Sequence, residues 1–195
     1  MSLIVITGGI GAGKSTVLKC LEKLGAKCVD TDVLAHQLYE PGTPLLAEIL
    51  AHFGDDLKKE DGSLDRRLLG RKIFADPRER QWLEQRMHPA IRESLGQQEK
   101  AAEPQPLFAA IPLWFESGWY RVRPAQAVVA VCCPPEIQWH RLLQRGWTPT
   151  EIRHRLDAQL PMEEKRRRAD VVIDTTGSLD ELQEKCSRLL LRWLP

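Results

Sequence analysis

The chain is short of several patterns that would place it in a specialised class. Its five cysteines, Cys20, Cys28, Cys132, Cys133 and Cys186, include no C-x-x-C pair and are odd in number, which argues against a zinc site and against a complete disulfide framework. Reduced cysteines in a core fit better. No apolar run approaches the ~20 residues that span a bilayer, and Met1-Ser2 leads straight into a strand-like segment without a signal-peptide pattern. A cytoplasmic protein with no membrane partner is expected. Nor is there an excess of charge: 28 Lys and Arg against 27 Asp and Glu leave a net charge of +1, so no global field favours nucleic acid, and any anion site must be local. What remains, 195 residues of which 43% are apolar, suits one compact domain with a small inserted subdomain.

The most informative segment is Gly8 to Thr16, GGIGAGKST, directly after the β-branched run Leu3–Thr7. It fits G-x-x-x-x-G-K-[ST]. Glycines let successive backbone N–H groups converge on an anion, and the helix that follows turns its N-terminal N–H groups and dipole the same way. Gly9, Ile10, Gly11, Ala12, Gly13, Lys14, Ser15 and Thr16 are therefore expected around a nucleotide polyphosphate. Lys14 would reach its β- and γ-phosphates and the Ser15 hydroxyl would ligate a magnesium ion. Val17, Leu18, Leu21 and Leu24 fall on one helical face that ends at Gly25, which supplies the context that the motif requires.

Further strand-like runs at Lys27–Asp30, Leu107–Pro112, Ala127–Cys133 and Val171–Asp174 alternate with helical segments, predicting an α/β fold with a five-stranded parallel sheet and flanking helices. Between the second and third runs lies only helical periodicity, broken at Pro41-Gly42, Asp61-Gly62, Asp76-Pro77 and His88-Pro89. Its apolar residues Leu45, Leu46, Ile49, Leu50 and Phe53, then Leu68, Leu69, Ile73 and Phe74, recur at three-to-four spacing. The expected organisation is a nucleotide-binding core at 1–32, 104–134 and 169–195, a helical subdomain at 33–103, and a short helical lid at 135–168. The lid is the most basic part of the chain. Within it Thr148-Pro149-Thr150-Glu151 reads as a capping box, and Ser178 with Glu181 opens the last helix in the same way.

Strand two ends in Asp30-Thr31-Asp32, at the carboxyl edge of the sheet, where open α/β sheets bind ligands. Phosphoryl transfer to an alcohol needs a group that orients the hydroxyl and takes its proton, and Asp32 is the candidate; Asp30 or Thr31 would cap the helix beginning near Val33. In the lid, Arg141 and Arg145 are candidates to close over the nucleotide and neutralise charge on the transferred group, while Arg166 to Arg168 read as surface. Pro112, Leu113 and Glu116, in the apolar loop after strand three, could line a substrate groove, with Glu116 near the metal or a substrate hydroxyl. His88, just before Pro89, reads by itself as a helix boundary.

Taken together, TGGIGAGKST, Val29–Asp32, Pro41–Pro44, Phe53-Gly54, Asp61–Arg66, Ile73–Pro77, His88-Pro89, Pro112–Glu116, Gln138 with Arg141, Gln159 and Ala169–Ile173 resemble the dephospho-coenzyme A kinase family across nearly the whole chain. The resemblance implies a phosphate-loop core like that of nucleoside monophosphate kinases, with a coenzyme-binding helical insertion and a lid. It implies transfer of the γ-phosphate of MgATP to the ribose 3′-hydroxyl of dephospho-coenzyme A; a monomer is expected, though nothing in the sequence dictates the oligomeric state. By resemblance Asp32 is the catalytic aspartate, Lys14 and Ser15 are the ATP and metal contacts, and Arg141 is a lid arginine near the nucleotide that assists with Lys14. Arg66 is a candidate for a substrate phosphate contact, and His88 is a candidate beside Pro112, Leu113 and Glu116 on the substrate side. Thr175 stands at a nucleotide contact where the family commonly has asparagine. Asp174 to Gly177 also mimic the D-x-x-G of phosphate-loop GTPases, but the chain contains no asparagine, so the guanine-reading N-K-x-D that such a switch requires cannot be present. A kinase of another small metabolite on the same core is the remaining alternative.

Overall fold

In the computed structural model, which describes residues 2–193, β1 (Leu3–Gly8), β2 (Lys27–Asp30), β3 (Leu107–Ala110), β4 (Ala127–Cys132) and β5 (Val171–Asp174) form one parallel sheet in the order β2-β3-β1-β4-β5. Residues 1, 194 and 195, at the ends of the expected core ranges and of the Met1-Ser2 lead-in, lie outside the described residues. Strand β3 is two residues shorter than expected, ending before Ile111 and Pro112. Every residue of β1 is buried, as a central strand covered on both faces requires. Its neighbours are β3 on one side and β4 on the other, so the strand order reverses at β1. That reversal places a crevice at the carboxyl end of β1, where the glycine loop begins.

The helices α1 (Lys14–Lys23) and α10 (Leu179–Leu191) pack on this sheet: Val17, Leu18, Cys20 and Leu21 meet Leu182, Cys186, Leu189 and Leu190 over Ile4, Ile6, Val129, Val131 and Ile173. Each large apolar side chain buried there stabilises the fold by about 1.5–3 kcal/mol. Leu24 does not join them. It is the C-cap of α1 and partly exposed, and Cys20 takes the buried place instead. The cysteines are free thiols; burial, aided for Cys28 by Glu22 and for Cys186 by Cys20, pushes the thiols of Cys28 and Cys186 up to about 12.

Residues 135–168 form α7 (Pro135–Gln144), α8 (Pro149–Asp157) and α9 (Met162–Arg168), preceded by the one-turn α6 (Trp119–Val122). The capping boxes at Thr148/Glu151 and Ser178/Glu181 both form. All of these elements belong to one compact unit, Met1–Asp30 with Gln98–Pro195.

The second unit spans Thr31–Gln97 and holds α2 (Thr31–Gln37), α3 (Pro44–Phe53), α4 (Arg66–Ala75) and most of α5 (Pro77–Ala102). Leu45, Leu46, Ile49, Leu57, Leu64, Leu69 and Leu83 make its core. Thr43 accepts from Leu46 N to cap α3, and the Asp65 carboxylate accepts from Arg67 N and Leu68 N to cap α4. Three expectations are corrected here. The range 33–103 becomes 31–97, because helix starts at Thr31 rather than near Val33 and the last turn of α5 belongs with the sheet unit. His88-Pro89 is no boundary: α5 runs through it, with Leu83, Ile91 and Leu95 buried on either side, and such burial outweighs the ~3 kcal/mol that an interior proline costs. Phe74 is 84% exposed, since it lies five residues and about 140° round the helix from buried Leu69.

Candidate active site

The glycine loop leaves β1 through Gly8, whose φ of 151° and contact with the Val131 carbonyl exclude a side chain. At the far end Gly13, with φ 99°, is the N-cap of α1 and lies against the Thr175 side chain. A loop that turns its N–H groups toward an anion must turn its carbonyls elsewhere, and those carbonyls need donors. Here the donors are identifiable. Lys14 Nζ donates to Gly8 O and Gly9 O, both at 2.9 Å. Thr175 Oγ1 donates to Ala12 O at 2.8 Å, and Gln138 Nε2 to Ile10 O at 2.5 Å. Ser15 and Thr16 are exposed in the first turn of α1.

Two of the expected contacts turn out to be internal supports. Thr175 is 5% exposed, and its hydroxyl, besides donating to Ala12 O, accepts from Arg141 Nη1 at 2.8 Å while its carbonyl accepts from Arg141 Nη2 at 2.7 Å. A buried hydroxyl so committed holds the loop from behind rather than facing a base, which corrects the nucleotide contact expected of Thr175. Arg141 is thereby fixed to the end of β5 in a two-pronged arrangement suited to its planar fork. Arg145 is the exposed C-cap residue of α7. Asp174 Oδ1 accepts from Thr176 N at 2.7 Å, so the D-x-x-G mimic is a turn that leads into α10.

Glu116 is the second correction. Rather than facing a metal or a substrate hydroxyl, its Oε1 pairs with Lys165 Nζ at 2.6 Å and accepts from Leu160 N at 3.0 Å. Lys165 is fully buried and also donates to Pro112 O at 3.3 Å, which accepts from Thr7 Oγ1 at 3.2 Å. The loop after β3 is thus tied both to the residue preceding the glycine loop and to α9. Trp114 and Phe115 are buried, whereas Leu113 is 44% exposed. Arg166, Arg167 and Arg168 form surface pairs with Glu163 and Glu164.

Within the helical unit, Asp32 is exposed in the first turn of α2. One turn on, His36 Nε2 lies 3.1 Å from Arg66 Nη1. A guanidinium only donates, so that nitrogen accepts and the imidazole proton sits on Nδ1. Arg66 also lies over the Tyr39 ring, 5.5 Å from its centroid. The Tyr39 hydroxyl is held above its ordinary range by burial, opposed by Arg66 and aided by Asp32, so these groups share one electrostatic neighbourhood. His36, Tyr39, Lys59, Ser63, Asp65 and Arg66 help line a cleft of about 380 Å³, within the range of small-molecule sites. His88 lies along α5, half-buried; burial holds its imidazole below the usual range, with Glu84 opposing and Arg92 adding to the shift.

Sequence reasoning missed Lys165, His36, Tyr39 and Thr7. No spacing rule could find the first, because its partner lies 49 positions earlier. His36 was in reach, four residues after Asp32 on the same helix face.

Among the described residues no group of three His, Cys, Asp or Glu could hold a metal ion, and no helix is long and apolar enough to cross a membrane. A parallel α/β core, a phosphate loop at the strand-order reversal and a helical insertion after β2 define a phosphate-loop kinase. A family model described as dephospho-CoA kinase matches residues 2–181. The chain is 39% identical over 194 residues to the dephospho-CoA kinase of Idiomarina loihiensis, covering 98% of this chain and 95% of that protein. Among solved structures it is similar to a Thermus thermophilus protein (36% identity, TM-score 0.85, 98% and 97% coverage) and to the dephospho-CoA kinase of Campylobacter jejuni (30%, 0.72, 97% and 96%). The chain belongs to the dephospho-CoA kinase family, whose members use ATP.

Proposed function

We propose that the protein transfers the γ-phosphoryl group of ATP to the ribose 3′-hydroxyl of dephospho-CoA. The 3′-oxygen forms the new bond to phosphorus, the bond from that phosphorus to the β,γ-bridging oxygen breaks, ADP leaves, and the hydroxyl proton passes to the Asp32 carboxylate. The observation that carries this reading is the family match, which runs through both the phosphate loop and the helical insertion.

The residues present fit the parts required. The loop from Gly9 to Thr16 would surround the polyphosphate, with the backbone N–H groups of Gly11, Gly13, Lys14 and Ser15 turned to it, and Lys14 would exchange its two loop carbonyls for phosphate oxygens. Ser15, exposed beside the loop, would hold a magnesium ion together with the phosphates; when bound, the ion neutralises charge on the β- and γ-oxygens. Asp32, exposed in the first turn of α2, would take the proton of the acceptor hydroxyl. Arg66, with Lys59 and Arg67 along the same cleft, suits the anionic diphosphate of the acceptor. Pro112 and Leu113 would border the acceptor, and residues 135–168 would exclude water from the reacting groups. Arg141 and Arg145 remain the arginines to neutralise charge on the transferred group.

Mixing the pure protein with MgATP and dephospho-CoA and separating the products by chromatography is the test. Coenzyme A and ADP are expected in equal amounts. Turnover of a different alcohol or nucleotide acceptor, with none of dephospho-CoA, would overturn the reading.

A further inference from the structure

Two glutamines that the mechanism does not use converge on a single residue of the phosphate loop. Gln138, on α7, donates from Nε2 to Ile10 O at 2.5 Å, and Gln159, between α8 and α9, accepts at Oε1 from Ile10 N at 3.0 Å. The backbone of Ile10 fixes the orientation of both amides, because an N–H can only donate and a carbonyl can only accept. Gly9 makes the approach possible: a Cβ there would stand 2.8 Å from Gln138 Nε2 and 3.7 Å from Gln159 Oε1.

Gln159 is itself held. The next residue, Leu160, donates its N–H to Glu116 Oε1, the oxygen that pairs with fully buried Lys165. Lys165 also donates to Pro112 O, the carbonyl that accepts from Thr7, one residue before the loop. A closed circuit therefore runs from Thr7 through Pro112, Lys165, Glu116 and Gln159 back to Ile10. Neither glutamine is needed to satisfy a helix end or a core. Both spend an uncharged, long side chain on the one loop residue between Gly9 and Gly11.

We infer that Gln138 and Gln159 are positioning residues that clamp the backbone on both sides of Ile10 and hold the phosphate loop in its anion-accepting shape from outside the loop. The inference rests on the kinase reading for the identity of the nucleotide. Its consequence is specific. The two residues play opposite roles, one donor and one acceptor, at the same loop residue, so a glutamate at either position adds one negative charge beside Ile10 but preserves the replaced hydrogen bond only at position 159.

The experiment measures the dissociation constant of a non-hydrolysable ATP analogue by calorimetry for Gln138→Glu, Gln159→Glu, and the amide-free Gln138→Met and Gln159→Met, with melting temperatures alongside. Each methionine variant should weaken the analogue about 3- to 10-fold, the range of a lost neutral hydrogen bond. Gln159→Glu, which keeps an acceptor for Ile10 N–H, should bind at least about 5-fold more tightly than Gln138→Glu, which sets a carboxylate against Ile10 O. In turnover, KM for ATP should rise while KM for the acceptor stays unchanged. Equal affinities for the two glutamate variants, or methionine variants that bind like the parent, would overturn the clamp. A melting-temperature loss that tracks the affinity loss across all four would overturn it too, by making the role merely structural. Because binding is read without the acceptor, these results are separable from whether dephospho-CoA is turned over.

Discussion

The two compact units carry their functional groups in opposite ways. In the sheet unit almost nothing near the phosphate loop is loose: its carbonyls are capped by Lys14, Gln138 and Thr175, and the supporting ion pair of Glu116 and Lys165 is buried. In the helical unit the candidate groups are on the outside, with Asp32, His36 and Arg66 exposed and Arg66 held by an imidazole and a ring face. The contrast suits the two ligands. A nucleotide polyphosphate is read by backbone N–H groups, which work only if the backbone is fixed in advance. An acceptor whose hydroxyl must meet a base is read by side chains that can adjust.

The comparison makes the largest break a chemical one in the helical unit with no structural echo. Asp32→Asn should lower kcat by about 10²- to 10⁴-fold, the usual share of a general base, while ATP affinity and melting temperature stay at parental values. Steady-state kinetics with analogue titration checks this, and near-parental turnover would remove Asp32 from the proton-accepting role. The sheet unit should break the other way. Lys165→Met leaves the Glu116 carboxylate buried without its counter-charge and should destabilise the protein by about 3–5 kcal/mol, read by denaturant unfolding. Lys165→Met with Glu116→Gln should recover most of that loss. A single variant as stable as the parent would mean that the pair carries no weight in the fold.

The same contrast explains what could be read in advance. The phosphate loop, both capping boxes and the parallel sheet are local patterns, so Gly8 to Thr16, Thr148 with Glu151, and the five strands were legible from order and spacing. The position of Asp32 at the start of the helix after β2 was legible too, whereas its role is a proposal. The failures share a cause. Glu116 looked like a site carboxylate because its partner Lys165 is distant in sequence, Thr175 was carried over from a family position while its partners Arg141 and Ala12 are equally distant, and His88-Pro89 looked like a break because the burial that carries α5 through it is tertiary. Polar residues near a motif are ambiguous until their partners are known, since the chemistry that suits a ligand also suits a buried ion pair.

Arg66 offers an intermediate test. Removing its guanidinium should raise KM for dephospho-CoA about 10- to 100-fold, as expected for charge-assisted hydrogen bonds to an anion, with little change in KM for ATP. Arg66→Lys should recover only part, because an ammonium lacks the planar fork. His36→Ala should shift the same constant in the same direction but less, since it removes only the acceptor that orients Arg66. If Arg66→Ala instead changed KM for ATP alone, the cleft would belong to the donor and the division between the units would fail.

The smallest effect is on stability at mildly acid pH, and it should be confined to the helical unit. Burial is the main reason that His88 has a lowered pKa, so the folded unit resists a proton that the unfolded chain accepts. The stabilisation from neutral, buried His88 is complete above the unfolded value of ~6.5 and is lost as pH falls from there toward the folded value. Asp61 and Asp65 in the same unit, and Glu164 and Asp174 in the other, are shifted down by hydrogen bonds from Ser63, Leu68, Arg168 and Thr176 respectively. Their contributions persist until pH falls below the ordinary carboxylate range. Between pH 6.5 and 5, amide protection factors in α5 around His88 should therefore decline while those in β1 hold, as measured by hydrogen exchange corrected for intrinsic rates. His88→Gln should abolish the difference. Parallel decline in both segments would show that the two units lose stability as one, and the separation drawn between them would then be chemical only.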